Sequence, residues 1–262
     1  MRDLGLVGVL VTRPALQAAP LCRLIEAEGG RAIAFPTVVI EPAPDQEALR
    51  GRLADVQPAD LAIFVSPNAV LHGAALVASL HPRPRIAAIG PATSAALDAA
   101  GLRVDVQPRD GYTSEALLAE PALERAPHLR IVLVRGGEGR ALLDRELRRR
   151  GAEVRALDVY VRRRPYVNEH DVATLTRRWQ RGEVDIVIAT SVETLTNLHA
   201  LLDRDAAELL KRTPILTSSA RVDRAAHRLG HRAPSVIAAG PDPRSLVAAL
   251  ADWQRRQTGR DR

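Results

Sequence analysis

The chain has 262 residues, a formal charge of +6, one cysteine and only 3% aromatic residues. With Cys22 alone there is no intrachain disulfide, and no apolar run approaches the roughly 18 residues that read as a membrane-spanning helix. Lys211 is the single lysine among 37 basic residues; arginine in short scattered clusters, without aromatic partners or a helix-turn-helix or RNP pattern, argues against nucleic-acid binding and reads as solvated surface.

From the N-terminus, residues 7–11 form a short buried strand. Pro14 then stands in the first turn of a helix. Leu16, Pro20, Leu21, Leu24 and Ile25 recur at roughly helical spacing, and Gly29-Gly30 closes the helix. Residues 32–35 are a second strand, extended beyond Pro36 by Val38-Val39-Ile40. Strands at 61–65, 86–89 and 104–106 alternate with helices at 67–80, 91–100 and 113–120. Residues 131–134 and 154–157 are strands flanking a helix near 138–150, and 159–161 extends the second of them. Arg148-Arg149-Arg150 ends that helix, where cations are favourable. The last strands are 186–190, 214–217 and 235–238, and residues 254–262, lacking apolar periodicity, read as a frayed basic tail.

The chain repeats itself. Residues 9–42 lie without a gap on 131–164, setting Arg13 on Arg135 and Gly29 on Gly151. Residues 86–118 lie on 215–247, setting Gly101 on Gly230 and Gly111 on Gly240, and residues 60–66 match 185–191. Regular strand–helix alternation with unalternated apolar strands implies parallel sheets covered on both faces. The fold class is α/β, with two doubly wound, flavodoxin-like domains; two such domains suit this length at roughly 100–150 residues each. The expected division is crossed: residues 1–37 with 165–262 in one domain, and 44–157 in the other. Residues 38–43 and 158–164 serve as a two-stranded antiparallel hinge. Simple tandem pairing would give the same order of blocks, with 38–40 and 159–161 as ordinary loops.

The familiar catalytic signatures are missing: no Gly-x-Ser-x-Gly elbow, no Walker lysine motif, no His-Glu-x-x-His. The seven histidines are scattered, and His227 and His231, separated by Gly230 at a helix end, read as surface. Arg135-Gly136-Gly137-Glu138-Gly139 follows a strand but lacks dinucleotide-binding spacing. No metal and no cofactor is expected.

What recurs is a set of small hydroxyl or glycine residues at strand C-termini, where helices begin. They are Thr12-Arg13, Ser66-Pro67-Asn68, Gly90-Pro91-Ala92-Thr93, Gly111-Tyr112-Thr113-Ser114, Arg135-Gly136-Gly137, Thr190-Ser191 and Ser218-Ser219. Ligands of open α/β sheets bind at that edge, and helix N-termini with hydroxyls beside them bind anions. Any one position is an ordinary helix cap. Together they point to a site for a polycarboxylate or polyphosphate.

Several segments, in this order and spacing over nearly the whole chain, resemble the uroporphyrinogen-III synthase family. They are Val11-Thr12-Arg13-Pro14, Phe64-Val65-Ser66-Pro67-Asn68-Ala69-Val70, Ala88-Ile89-Gly90-Pro91-Ala92-Thr93, Gly111-Tyr112-Thr113-Ser114-Glu115-Ala116-Leu117-Leu118 and Asp158-Val159-Tyr160. Thr217-Ser218-Ser219-Ala220-Arg221 departs from the Gly-Pro-Ala-Thr form of its repeat mate. The resemblance implies two flavodoxin-like domains joined by a two-stranded ladder, in accord with the crossed division. It also implies a lyase that cyclises and dehydrates hydroxymethylbilane with inversion of ring D.

Such chemistry needs positioning more than a strong nucleophile. It calls for a cleft, carboxylate anchors and one acid to protonate the departing hydroxyl. Tyr160 matches the family's tyrosine in that role, and a phenol is protonated at neutral pH; a Tyr packed on the hinge with its hydroxyl in water is the plain alternative. The expected substrate-binding residues are Arg13, Ser66, Asn68, Gly90, Thr93, Tyr112, Thr113, Ser114, Arg135, Gly136, Thr190, Ser191 and Ser219. Arg13 and Arg135 could each meet a propionate or hold a neighbouring loop. A cytoplasmic monomer is expected, without nucleic-acid or membrane partners and with transient contact to porphobilinogen deaminase. The second reading is a two-domain sensor that binds an anionic small molecule without turning it over.

Overall fold

The computed structural model describes residues 4–55, 58–124, 127–137 and 142–258. The first elements are β1 (Gly8–Val11), α1 (Ala15–Ala27), β2 (Arg31–Ala34), β3 (Val39–Pro42) and α2 (Gln46–Ala54). Next come β4 (Leu61–Phe64), α3 (Pro67–Ala78), β5 (Arg85–Ala88), α4 (Pro91–Ala99), α5 (Ser114–Leu118) and α6 (Pro121–Glu124). The middle of the chain holds β6 (Arg130–Gly136), α7 (Leu142–Arg149), β7 (Glu153–Arg163) and α8 (Glu169–Gln180). The rest is β8 (Ile186–Ile188), α9 (Val192–Leu201), α10 (Arg204–Arg212), β9 (Ile215–Thr217), α11 (Ala220–Arg228), β10 (Ser235–Ile237) and α12 (Pro243–Thr258).

These elements form two compact units, Met1–Val39 with Arg163–Arg262, and Ile40–Arg162. The first holds a five-stranded sheet in the order β10-β9-β8-β1-β2. Its interior strand β1 pairs in parallel with β2 (Val9↔Ala32) and with β8 (Val9↔Ile186). The second holds the order β3-β7-β6-β4-β5, with β4 parallel to β6 (Ile63↔Leu133) and β6 parallel to β7 (Ile131↔Val154). The interior strands β1 and β4 are fully buried, because helices cover both faces. Alternation along the strands divides the core: Ala62, Phe64, Val132 and Val134 join one cluster, Leu61, Ile63, Ile131 and Leu133 the other. Among the described residues no helix is long and apolar enough to cross a membrane.

The repeat read from the sequence is the same turn built twice. Gly29 and Gly151, after α1 and α7, have φ of 84° and 88°, the left-handed conformation that ends a helix and that side chains disfavour.

Five expectations are corrected or refined. Residues 104–106 are not a strand; only a single bridge, Ala87↔Val106, forms. The Asp105 carboxylate accepts the Ile86 N–H at 2.8 Å, displacing a ladder bond, and β3 completes the five strands instead. The 159–161 extension is continuous with β7, and the Ala43 N–H donates to the Val159 carbonyl at 3.0 Å, so β3 is an edge of the second sheet. Residues 254–258 are not frayed: α12 continues through Thr258, anchored by buried Leu250 and Trp253, and residues 259–262 lie outside the described residues. Arg150 is not merely solvated, since it pairs with Glu146 and its Nη1 donates to the Leu118 and Leu123 carbonyls at 2.5 and 2.8 Å. Those carbonyls end short helices, where the intrahelical hydrogen-bond pattern leaves the last carbonyls open. His227 is exposed but His231 is buried, because Gly230 (φ 83°) turns the chain out of α11 and puts the two rings in different surroundings. Of the helix expected near 138–150, residues 138–141 lie outside the described residues.

Candidate active site

The strands β6 and β7 pair in simple register up to Arg135↔Asp158, and then Gly136 pairs with Tyr160. Val159 is thus an extra residue on β7, a bulge of the kind that re-aims a side chain. Val159 and Tyr160, adjacent in sequence, consequently pack into the same core cluster beneath α3. The Tyr160 ring lies over Gly136: a Cβ there would stand 2.4 Å from Cε2 and 2.5 Å from Cζ of the ring. The Gly137 N–H donates to the Tyr160 carbonyl at 3.1 Å and holds the bulge.

The same ring meets α3. The Tyr160 hydroxyl is 3.3 Å from Ser66 Oγ. Ser66 is the N-cap of α3, and its Oγ also accepts the Ala69 N–H at 3.1 Å. The His72 imidazole lies 5.9 Å from the phenol ring, centre to centre, tilted by 37°; burial pushes its pKa down, so it stays neutral at neutral pH.

A cavity of about 190 Å³ opens at this sheet edge, lined by Val65, Ile89, Ser114, Leu133, Arg135, Gly136, Gly137, Leu143, Tyr160 and Arg162. Arg135 reaches it while its Nε holds Asp158 Oδ1 at 2.8 Å. Ser114 is buried in the first turn of α5, capped by Thr113, whose Oγ1 accepts the Ala116 N–H at 3.2 Å. Gly90 begins α4, and a Cβ there would fall 2.9 Å from Tyr112 Cβ, so Tyr112, itself 61% exposed, lies directly over it. Asn68 is half-buried in the first turn of α3. Thr93 is buried and its N–H is spent on the Gly90 carbonyl, which makes it part of the helix start rather than of the open edge.

In the other unit the same strand-end positions are more fully occupied. Arg13 donates from Nη1 to the Pro241 carbonyl at 2.9 Å and from Nη2 to Gln17 at 3.2 Å. Burial lowers its pKa, Asp242 opposes that shift, and its Nε is without a partner among the described residues. These contacts hold the Pro241 loop, one of the two roles open to Arg13. Thr12 spends its hydroxyl on the Ile188 carbonyl at 2.7 Å. Ser191 caps α9 in a reciprocal box with Thr194, next to half-buried Thr190. Ser219 starts α11 with no side-chain cap bond, and its N–H donates to Thr217 Oγ1 at 3.2 Å.

The model of the family described as "Uroporphyrinogen-III synthase HemD" matches residues 19–248. A curated relative, the uroporphyrinogen-III synthase of Escherichia coli (strain K12), is 32% identical over 252 residues, covering 93% of this chain and 100% of the relative. The chain belongs to the uroporphyrinogen-III synthase family. Two solved members share its fold. A mutant enzyme from the extremely thermophilic bacterium Thermus thermophilus gives a TM-score of 0.60 at 22% identity, over 97% of this chain and 99% of that one. The Helicobacter pylori enzyme gives 0.61 at 15% identity, over 97% and 100%. The relatives named here are synthases, which does not favour a sensor.

For a uroporphyrinogen-III synthase family member, the sequence reading overlooked two neighbours of Tyr160, His72 and Arg162, and the contact of Tyr160 with Ser66. His72 carried a signal: it lies four residues after Asn68 on α3, hence on the same helix face. Arg162 stood only in an arginine run. The Ser66–Tyr160 contact had no signal in the sequence, because it depends on the bulge.

Proposed function

We propose that this chain converts hydroxymethylbilane to uroporphyrinogen III, with loss of water and inversion of ring D. One observation carries the reading at the level of the site: Tyr160, two guanidinium groups and the start of α5 line a single cavity at the C-terminal edge of the second sheet. The phenol protonates the departing hydroxyl, which leaves as water and generates the azafulvene cation. Val65, Ile89, Leu133 and Leu143 supply apolar walls for a pyrrole ring. Arg135 and Arg162 draw substrate carboxylates to the same place, and N–H groups at the starts of α3, α4 and α5 take others. The cavity acts on geometry: the reactive carbon must meet the substituted α-carbon of ring D before the free one, and holding that conformer is where the rate and the isomer choice arise.

Arg13, Thr93, Thr190, Ser191 and Ser219 enter this reading as supports of the sheet edges, with ligand contacts made through backbone where they occur. Porphobilinogen deaminase is the natural source of the substrate. A coupled assay tests the proposal: the deaminase supplies hydroxymethylbilane, and chromatography separates isomers I and III. The expected product is isomer III in the presence of catalytic amounts of the chain. Persistent isomer I at high chain concentration would reject it.

A further inference from the structure

We infer that Ser66 and Gly136 are positioning residues for Tyr160: the Ser66 hydroxyl donates to the Tyr160 oxygen, and the missing side chain of Gly136 provides the seat for its ring. The inference rests on the proposed reaction and deepens it, because both residues would otherwise count as substrate contacts.

The argument begins with what Ser66 Oγ has left to offer. A serine hydroxyl has one proton and two lone pairs. One lone pair is taken by the Ala69 N–H at 3.1 Å. The Tyr160 oxygen, 3.3 Å away, is the side-chain neighbour for the remaining proton. If Ser66 donates, the phenol keeps its own proton free for the substrate. If the direction were reversed, the acid would be pointed at Ser66 and away from the chemistry. The donating arrangement also matches the charge that develops. In the step proposed, the Tyr160 O–H bond breaks and its electron pair stays on the phenol oxygen. The proton joins the leaving hydroxyl, whose C–O bonding pair departs with it as water, and the cation remains on the tetrapyrrole. The proton lost from the carbon that closes the macrocycle returns to Tyr160. During the interval the phenol oxygen is negative, and a hydroxyl donor beside it strengthens.

Ring placement is set separately. The bulge at Val159 puts Tyr160 opposite Gly136, and any side chain at 136 would overlap Cε2 and Cζ. The titratable groups about the phenol are His72 from α3 and, along the cavity, Arg135 with Asp158 and Arg162. His72, held neutral by burial, packs the ring without adding charge.

The test has two arms on the full chain. The first is kinetic. Ser66→Ala is expected to lower kcat about tenfold, as loss of a hydrogen bond to a charged group does, with KM within about twofold, and Ser66→Thr should restore it. Ser66→Ala also removes a helix cap, so the rates are read well below the melting temperature. Unchanged kcat, or no recovery with Thr, overturns the inference. Gly136→Ala in the Tyr160→Phe background should cost far less activity than in the wild type; equal losses would show a merely structural glycine.

The second arm needs no activity. The chain has three tyrosines, so fluorotyrosine labelling gives three 19F signals, and Tyr160→Phe identifies the relevant one. That signal should move in Ser66→Ala and return in Ser66→Thr, while those of Tyr112 and Tyr166 stay fixed. An unmoved signal overturns the inference whatever the rates. A signal that behaves as expected in a chain yielding only isomer I would instead overturn the proposed reaction, and with it the positioning role.

Discussion

Acidification should weaken the first unit through a histidine pair far from the cavity in sequence. His231 is 8% exposed, and its Nε2 lies 2.8 Å from Nε2 of His199, the rings meeting edge to face at 5.0 Å. Burial, then the positive charges of His199, His227 and Lys211, lowers the His231 pKa from 6.5 to about 4. His199 is lowered as well, by burial and by Lys211. The unfolded chain takes up a proton near its ordinary value while the folded chain refuses it. Stability is therefore fully present above about pH 6.5 and falls as pH drops toward 4. At about 1.4 kcal/mol per pH unit, that interval is worth about 3 kcal/mol, a large part of the roughly 5–15 kcal/mol typical of a domain. The loss belongs to the coupled pair rather than to one ring. Urea unfolding of the wild type and of His231→Gln between pH 7 and 4 measures it, since carboxylate titrations are common to both and cancel. The wild type should lose about 3 kcal/mol more than the variant. Parallel profiles would refute the reasoning, by showing that the ring charges without cost in the folded state.

Tyr160→Phe should lower turnover toward the low end of roughly 10²–10⁴ while substrate binding changes little, as single-turnover rates in the coupled assay will show. Gly90→Val should push the Tyr112 loop, because a Cβ there already falls 2.9 Å from Tyr112 Cβ. It should cost more isomer III production than Ser114→Ala, and about 1–3 kcal/mol of stability by thermal melting. Gly8→Ala should be the most damaging single methyl, since its Cβ would lie 1.8 Å from the Glu183 backbone carbonyl oxygen; circular dichroism and melting should show a loss at or beyond the upper end of that ~1–3 kcal/mol range, and an unchanged melting temperature would contradict the packing of β1 described above.

Much of the architecture is written locally. Unalternated apolar runs such as Gly8–Val11 and Leu61–Phe64 read as interior strands, and Ser66, Thr113 and Ser191 cap helices as their positions suggest. The failures are tertiary. Val104 and Val106 have strand character, but Asp105 takes the Ile86 N–H that a ladder would need. Helix α2 buries only Leu49 and Leu53, too sparse a stripe to announce itself. Gln254–Thr258 has no apolar periodicity, yet it continues a helix whose preceding turns bury Leu250 and Trp253. The bulge that seats Tyr160 is a mismatch between two strands, and no single strand's sequence records it.

The duplication supplies an internal comparison that bears on where the chemistry lies. Arg13 and Arg135 are mates, but Arg13 is spent on the Pro241 carbonyl and Gln17, whereas Arg135 lines the cavity. Gly136 corresponds to Pro14 and Tyr160 to Val38, so the first unit has neither the seat nor the phenol. Ser66 and Ser191 are both N-caps at the same strand end. Three residues on, Ser191 meets Thr194, whose hydroxyl lies 3.2 Å from its Oγ and closes a reciprocal box. Ser66 meets Ala69 instead, which takes a lone pair and leaves the hydroxyl proton for Tyr160. One small-residue substitution in a duplicated helix start thus separates a satisfied cap from a hydroxyl with a donor to spare. Replacing Ala69 by Thr should copy the first unit's box onto the second, draw the Ser66 proton away from the phenol, and lower kcat without the loss of a cap. A rate as fast as the wild type in Ala69→Thr, with α3 intact by circular dichroism, would show that the direction of the Ser66 hydroxyl does not matter to the reaction.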